Sequence, residues 1–115
     1  MKVLIVDDSE DQLNLLRRHF ELAGCDVVAA RDAESAIDDL GGKPDLAVID
    51  LMLPGMNGWE LTELIQSRYP SIPVAISSVL DQESYPPTDA ALPKPVSRAT
   101  IRLVLHNCVP KWVAP

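Results

Sequence analysis

Two short apolar runs in the first half of the chain each end directly at an aspartate. Residues 3–6 are followed by Asp7 and Asp8, and residues 46–49 are followed by Asp50. Continuous apolar runs of this length, rich in branched side chains, are typical of strands buried on both faces of a parallel sheet. The carboxyl ends of such strands are where sheets of this class place their ligands. We therefore expect these three acids to mark a functional site.

Segments with helical signals separate the apolar runs. Leu13, Leu16 and Phe20 recur at helical spacing before Gly24, which predicts the end of a first helix. Helix-start signals lie at residues 7–10, Asp32, Asn57 and Ser97. Further strands are expected at residues 25–30 and 72–76, with a weak fifth at 90–92. Alternation of this kind with right-handed crossovers predicts a flavodoxin-like, doubly wound α/β fold with a five-stranded parallel sheet in the order 2-1-3-4-5.

The composition limits the partners of the chain. Its 115 residues are 47% hydrophobic, which is enough for one core, and 17 acidic against 10 basic residues give a formal charge of −7. A direct nucleic-acid partner or an anionic membrane partner is not expected, because both require a basic face. No apolar stretch reaches the ~20 residues of a membrane span, and Asp7 comes too early for a signal peptide, so a cytoplasmic protein is expected. Cys25 and Cys108 are far apart, which favours two buried thiols over a metal or redox pair.

Strand order brings the acids together. Strands one and three are neighbours in the predicted sheet, so Asp7, Asp8 and Asp50 converge. Like charges in one place require a proton or a cation, and Mg²⁺ prefers hard oxygen ligands. A purely local alternative is that Asp7 and Asp8 cap the first helix. The acidic loop after strand one also argues against a nucleotide or flavin site, whose loop is rich in Gly or hydroxyl residues.

Two more strand ends supply polar groups. Strand four ends at Ser77 and Ser78, and strand five continues into Lys94. A carboxylate, a Mg²⁺ ion, a hydroxyl and a lysine together are what phosphoryl transfer to an aspartate requires.

Four segments resemble the receiver domain of bacterial two-component response regulators, the CheY-like receiver. They are V-L-I-V-D-D-S-E at 3–10, P-D-L-A-V-I-D-L-M-L-P-G-M-N-G at 44–58, I-P-V-A-I-S-S at 72–78 and L-P-K-P at 92–95. The resemblance covers about residues 2–107. It implies that Asp50 accepts a phosphoryl group from a sensor histidine kinase or a histidine phosphotransfer protein.

The resemblance also implies a role for each neighbour of Asp50. Asp8, Asp50 and the backbone carbonyl of Met52 would bind Mg²⁺ directly, and Asp7 would hold it through water. Lys94 would pair with the phosphoryl oxygens. The switch hydroxyl would be Ser78, with Ser77 as the alternative.

The chain departs from the family pattern in three places. Ala91 stands where the family usually has the switch Tyr or Phe, and Tyr85 is nearby in sequence. Only eleven residues, interrupted by Pro86-Pro87, separate Ser78 from strand five, so the fourth helix is expected to be missing or reduced. Apolar residues at Met52, Val79 and Leu80 surround the phosphate position, which predicts slow attack by water and a long-lived phosphorylated state.

Three functions can be compared with these residues. The first is a signalling switch that catalyses only its own phosphorylation and dephosphorylation and acts on a downstream protein or output domain. The second is a degenerate receiver that serves as a phosphorylation-independent interaction module. A haloacid-dehalogenase-type phosphatase is disfavoured, because that family has D-x-D where Asp50 is followed by Leu51-Met52. Residues 1–108 are expected to form the receiver domain, and 109–115, which include Trp112, a C-terminal tail or the start of a linker.

Overall fold

Strands and helices alternate along the chain as the apolar runs predict, and the computed structural model describes all 115 residues. The strands are β1 (Lys2–Val6), β2 (Asp26–Ala30), β3 (Leu46–Ile49), β4 (Val74–Ile76) and β5 (Ala90–Ala91). The helices are α1 (Glu10–Leu22), α2 (Ala33–Leu40), α3 (Gly58–Arg68) and α4 (Arg98–Cys108). All strand pairs are parallel and the order is β2-β1-β3-β4-β5, which confirms the predicted flavodoxin-like fold.

Side-chain caps fix where the helices begin. A polar side chain accepts a hydrogen bond from a backbone N–H in the first turn of every α-helix, which satisfies one of the donors that a helix leaves unpaired. These caps are Ser9, Asp32, Asn57 and Ser97. At its other end α1 stops before Gly24, whose φ of +88° is a conformation that glycine adopts without steric cost.

The sheet separates two apolar layers. Alternate residues of β1 point to opposite faces, so Val3 and Ile5 pack with α1 and α4 on one side. Leu4 and Val6 pack with α2 and α3 on the other. Each layer contains 15 buried residues, and burial on both faces explains why residues 3–6 and 46–49 are all apolar.

The segment between β4 and β5 contains no fourth α-helix, as the two prolines predict. A single 3₁₀ turn at Gln82–Ser84 replaces it. Both flanking strands are shorter than expected: β4 begins at Val74 instead of residue 72, and β5 has two residues. Five helices would be needed to match the five strands of a full alternating pattern, and this chain has four, because Pro86-Pro87 cannot lie inside a helix.

The C-terminal residues pack back on the domain. The Trp112 indole donates a hydrogen bond to the carbonyl of Ala23 at 2.8 Å, and the Arg102 guanidinium carbon lies 5.5 Å from the centroid of the indole. Lys111 pairs with Asp45 at 3.0 Å. These contacts lie at the edge where the strands begin, away from the carboxyl ends.

The cysteines are free, and their burial differs. Cys25 is buried in the layer formed with α1 and α4, as predicted. The prediction is wrong for Cys108, which is only half-buried because Leu105 and Val109 occupy the inward positions at the end of α4. None of the helices combines the length and apolar character that crossing a membrane requires.

Candidate functional site

The register of two central strands places the first two acids side by side. Val6 of β1 lies opposite Ile49 of β3, so the residues that follow them, Asp7 and Asp50, are neighbours. The ladder continues past β3, because the Asp50 N–H donates to the Val6 carbonyl at 2.9 Å. Asp7 is fully buried, Asp50 is 7% exposed, and Asp8 is exposed.

The three carboxylates form one cluster with a single cation. Oxygen atoms of Asp7, Asp8 and Asp50 lie within 4.8 Å of one another. The Lys94 ammonium group donates to Asp7 Oδ2 at 2.6 Å and to Asp50 Oδ2 at 3.3 Å. Three formal negative charges therefore face one positive charge, and Lys94 is itself almost completely buried. Like charges this close are unfavourable until a proton or a cation offsets them.

Burial dominates the behaviour of Asp7. Loss of solvent raises the pKa of this carboxyl above its ordinary value, although hydrogen bonds from Lys94 and from the Ser9 backbone N–H act in the opposite direction. A raised pKa means that the ionised form of Asp7 is disfavoured in the folded protein. A cation bound at the cluster would favour that ionised form.

Helix capping does not account for the acids. Ser9, not Asp7 or Asp8, is the N-cap of α1. Asp7 Oδ1 accepts a hydrogen bond from the Ser9 N–H at 3.0 Å, which leaves its second oxygen for Lys94. The Asp8 carboxylate accepts no hydrogen bond from the protein, so its oxygens are available to a ligand.

The donor set suits a hard divalent cation. All three side chains offer carboxylate oxygens, and the exposed Asp8 leaves one side of the cluster open to water. The backbone carbonyl of Met52 accepts no hydrogen bond within the protein, while its N–H donates to Asp50 Oδ1 at 3.3 Å. Mg²⁺ takes oxygen ligands and keeps several waters, which an open cluster of this kind allows.

The two serines after β4 have different surroundings. Ser78 Oγ accepts a hydrogen bond from the Leu80 N–H at 3.2 Å, and the Ser78 carbonyl accepts one from the Lys94 N–H at 3.1 Å. The latter bond ties the switch-hydroxyl candidate to the lysine. Ser77 Oγ is buried and has no hydrogen-bond partner. Successive side chains point to opposite faces of a sheet, so only one of the two hydroxyls can lie on the side of a given ligand.

Two aromatic residues hold the segment that replaces the fourth helix. The Tyr85 hydroxyl accepts a hydrogen bond from the Ser78 N–H at 3.2 Å and donates one to the Ser78 carbonyl at 2.8 Å. The Trp59 indole, on the first turn of α3, donates to the Ser84 carbonyl at 3.0 Å. The sequence places Tyr85 near Ser78 but carries no signal for either contact, because both depend on the path of a loop.

Gly58 sets the distance between α3 and the end of β3. A Cβ atom on Gly58 would lie 2.2 Å from the Asp50 carbonyl oxygen and 2.5 Å from the Leu51 Cα. The Gly58 N–H also donates to the Leu51 carbonyl at 3.0 Å. The turn at residues 54–58 therefore requires glycine here for close backbone packing beside Asp50, a reason that the turn pattern alone does not reveal.

Two apolar residues that follow site residues closely in the chain are exposed. Met52 is 55% exposed and Val79 is 75% exposed. An open groove of about 560 Å³ includes Asp8, Met52 and Trp59 in its lining.

These features have counterparts in known proteins. The family model of the response regulator receiver domain matches residues 3–105. The chain belongs to the response regulator receiver family, as the four sequence segments predict.

Three relatives illustrate the match. The chain is 36% identical over 83 residues to the alkaline phosphatase synthesis transcriptional regulatory protein PhoP of Bacillus subtilis, covering 71% of this chain and 35% of that protein. It is 31% identical over 115 residues to a cyclic di-GMP phosphodiesterase of Thermotoga maritima, covering 95% of this chain and 31% of that protein. The receiver domain of a modulated diguanylate cyclase from Desulfovibrio desulfuricans superposes with a TM-score of 0.82 at 26% identity, covering 96% of this chain and 94% of that one. The chain thus spans about a third of the length of the Bacillus and Thermotoga relatives.

Proposed function

We propose that this receiver domain is a phosphorylation-dependent switch in which Asp50 accepts a phosphoryl group from a phosphohistidine. The donor would be a sensor histidine kinase or a histidine phosphotransfer protein. The observation that carries this proposal is the cluster of three carboxylates, with oxygens within 4.8 Å, that is bridged by the buried ammonium group of Lys94. A module that only bound proteins would have no physical need for so unfavourable a concentration of charge.

The transfer balances with the groups present. An Asp50 oxygen attacks the phosphorus, a new O–P bond forms, and the N–P bond of the phosphohistidine breaks. The leaving imidazole nitrogen keeps the electron pair of that bond and takes a proton from water. Lys94 already contacts Asp50 Oδ2 and would offset charge on the phosphoryl oxygens, and the Ser78 hydroxyl would donate a hydrogen bond to one of them.

Mg²⁺ is the proposed cofactor. Asp8, Asp50 and the Met52 carbonyl would bind it directly, and Asp7 would hold it through water. When bound, the ion would supply positive charge that favours the approach of the phosphoryl group to Asp50. The remaining contribution of the chain is positional, because the register of β1 and β3 fixes the carboxylates before any ligand arrives.

We also propose boundaries and a mode of action. Residues 1–108 would form the receiver unit and 109–115 a tail packed on it through Trp112. The domain would act on a downstream protein or an output domain, and it would turn over no substrate other than its own phosphoryl group.

Intact-mass measurement tests the proposal. With Mg²⁺ and acetyl phosphate, or with a phosphorylated kinase domain if Val79 hinders the small donor, the protein should gain one phosphoryl group, about +80 Da. The adduct should require Mg²⁺ and should be lost in Asp50→Asn but retained in Asp38→Asn, an exposed acid on α2. The second candidate function is a degenerate receiver that binds partners without phosphorylation. The reorganised segment after β4 and the alanine at position 91 support it, and so would a wild-type protein that no donor phosphorylates.

A further inference from the structure

The carboxyl end of β4 is held by a side chain that the recognised site does not include. The Tyr85 hydroxyl makes two hydrogen bonds to Ser78, accepting from its N–H at 3.2 Å and donating to its carbonyl at 2.8 Å. Ser78 is the proposed switch hydroxyl. Its backbone therefore cannot move without changing its contacts with Tyr85.

The ring of Tyr85 is half-buried against the core. It packs against the apolar layer formed with α2 and α3. Burial raises the pKa of Tyr85, so its hydroxyl keeps its proton at neutral pH and can donate to the Ser78 carbonyl. A half-buried ring whose hydroxyl makes two hydrogen bonds has few alternative positions. A displacement of Ser78 should therefore move the ring as well.

The same segment is tied to α3 at its other end. Tyr85 follows the 3₁₀ turn, and its N–H donates to the Gln82 carbonyl at 3.0 Å. The carbonyl of the preceding residue, Ser84, accepts the Trp59 indole N–H at 3.0 Å. The Gln66 side-chain amide of α3 donates to the Pro87 carbonyl at 2.9 Å. A continuous set of contacts therefore runs from Ser78 through Tyr85 to the partly exposed Trp59.

The Ser78 hydroxyl would gain an acceptor for its proton when Asp50 is phosphorylated. It now accepts from the Leu80 N–H at 3.2 Å, a local turn contact. We expect the position of this hydroxyl to adjust as it donates its proton to a phosphoryl oxygen on Asp50. Ala91, with no ring and no polar group, cannot respond to that movement.

We propose that Tyr85 is a positioning residue that sets the place of the Ser78 hydroxyl and, on phosphorylation of Asp50, carries its displacement to Trp59. This inference rests on the proposed function. According to this inference, the surface that changes on phosphorylation includes the segment between β4 and β5 and also the first turn of α3. Coupling of this kind requires evidence that both ends respond to one event.

The indole N–H resonances of the two tryptophans give a direct measurement. Mg²⁺ with beryllium fluoride, a mimic of the phosphoryl group, is added to ¹⁵N-labelled protein at saturating concentration. The Trp59 resonance should shift, because its hydrogen bond to Ser84 changes. Trp112 is an internal control, since its indole is bound to Ala23 at the opposite edge of the sheet and should not shift.

Tyr85→Phe tests the role of the hydroxyl. It keeps the ring and removes both hydrogen bonds to Ser78. The Trp59 shift should fall by about half or more, and the apparent affinity for beryllium fluoride by about fivefold, the size expected for losing neutral hydrogen bonds. The matched control is Tyr69→Phe, which removes the hydroxyl of a ring packed on the same layer that makes no hydrogen bond within the protein. This control should behave as wild type.

The outcomes separate the two proposals. A +80 Da adduct on Asp50 with no Trp59 shift in wild type, or an equal shift in Tyr85→Phe, overturns the role of Tyr85 and leaves the proposed function intact. Absence of the adduct in wild type overturns both. If Tyr85→Phe does not fold, Trp59→Phe serves instead. Its Tyr85 ring resonances should still shift with beryllium fluoride, and unchanged resonances would overturn the inference.

Discussion

Lys94 donates its shortest hydrogen bond to Asp7, at 2.6 Å, with both side chains removed from solvent. Its contact with the phosphoacceptor candidate Asp50 is longer, at 3.3 Å. One ammonium group thus serves two buried carboxylates. The charge that remains uncompensated is the reason to expect a cation at the exposed Asp8.

Mg²⁺ should stabilise the folded protein. A ligand bound only by the folded state at tenfold above its Kd raises the free energy of unfolding by about 1.4 kcal/mol. Urea unfolding with MgCl₂ and with EDTA measures the difference. Asp8→Asn should reduce it strongly, whereas Asp11→Asn, an exposed acid in the first turn of α1, should retain it. Equal Mg²⁺ effects in the two variants would contradict a site at Asp8.

Replacing the two serines after β4 should have different consequences for the phosphorylation of Asp50. Ser78→Ala removes the proposed hydrogen bond to a charged phosphoryl oxygen, a loss of about 1.5 kcal/mol, so phosphorylation of Asp50 should slow by about tenfold. Ser77→Ala removes a buried hydroxyl without a partner, so the rate should stay within about twofold and stability should rise by up to about 1 kcal/mol. Time courses of intact mass and urea unfolding measure both. If phosphorylation is slowed in Ser77→Ala and unchanged in Ser78→Ala, the switch hydroxyl is that of Ser77.

The apolar side chains of Met52 and Leu80 should prolong the life of the phosphorylated state. Met52 is largely exposed and Leu80 lies two residues after Ser78. Neither can orient an attacking water, whereas polar groups can. The double variant Met52→Asn/Leu80→Glu should therefore lose its phosphoryl group faster, by about tenfold if one hydrogen bond to water is gained. A half-life in wild type no longer than in the double variant would contradict this prediction.

Adding one methyl group to Gly58 should disturb the end of β3. The new Cβ would lie 2.2 Å from the Asp50 carbonyl oxygen, so α3 or the loop must move. Overpacking of this kind costs about 1–3 kcal/mol, and it should slow phosphorylation because Asp50 moves with its backbone. Gly41→Ala is the control, because nothing lies within 4 Å of its Cβ position and its φ of −61° suits alanine. Equal unfolding free energies for the two variants would show that the contact relaxes freely.

The contact between Asp45 and its partners should depend on pH. Burial acts to raise the pKa of Asp45. The Lys2 backbone N–H at 2.8 Å and the Lys111 ammonium group outweigh burial and hold this pKa below its ordinary value. A lowered folded-state pKa gives stability that is present above the unfolded value of about 3.9 and is lost as the pH falls through the folded value.

Asp45→Asn tests this dependence. At pH 7 it should lower the free energy of unfolding by about 1 kcal/mol, mainly because the Lys2 N–H loses a charged acceptor, since Lys111 is largely exposed. Near pH 3 the difference from wild type should shrink. Urea unfolding at both pH values measures it, with Asp38→Asn as the exposed control. A difference that stays constant between the two pH values would contradict the assigned cause.

Local patterns predicted most of the architecture. Helix starts at Ser9, Asp32, Asn57 and Ser97 were predictable because a cap depends on residues three positions apart. The meeting of Asp7 and Asp50 was predictable too, since apolar runs define the strands and parallel topology aligns their ends. The first and last residues of β4 and β5 were less predictable, because strand length depends on pairing with neighbouring strands.

The fold class, the strand order and the residues that gather at the carboxyl edge were all predictable from the sequence, because periodicity, caps and crossover handedness follow simple rules. The close approach of Gly58 to the Asp50 carbonyl and the hydrogen bonds of Tyr85 to Ser78 were visible only in the three-dimensional structure. The hydrogen bond from Trp59 to the Ser84 carbonyl, 25 residues away in the chain, was likewise not predictable from the sequence. These contacts depend on how loops pack against the sheet. Loops have no repeating sequence pattern, so no local rule predicts the path of their backbone.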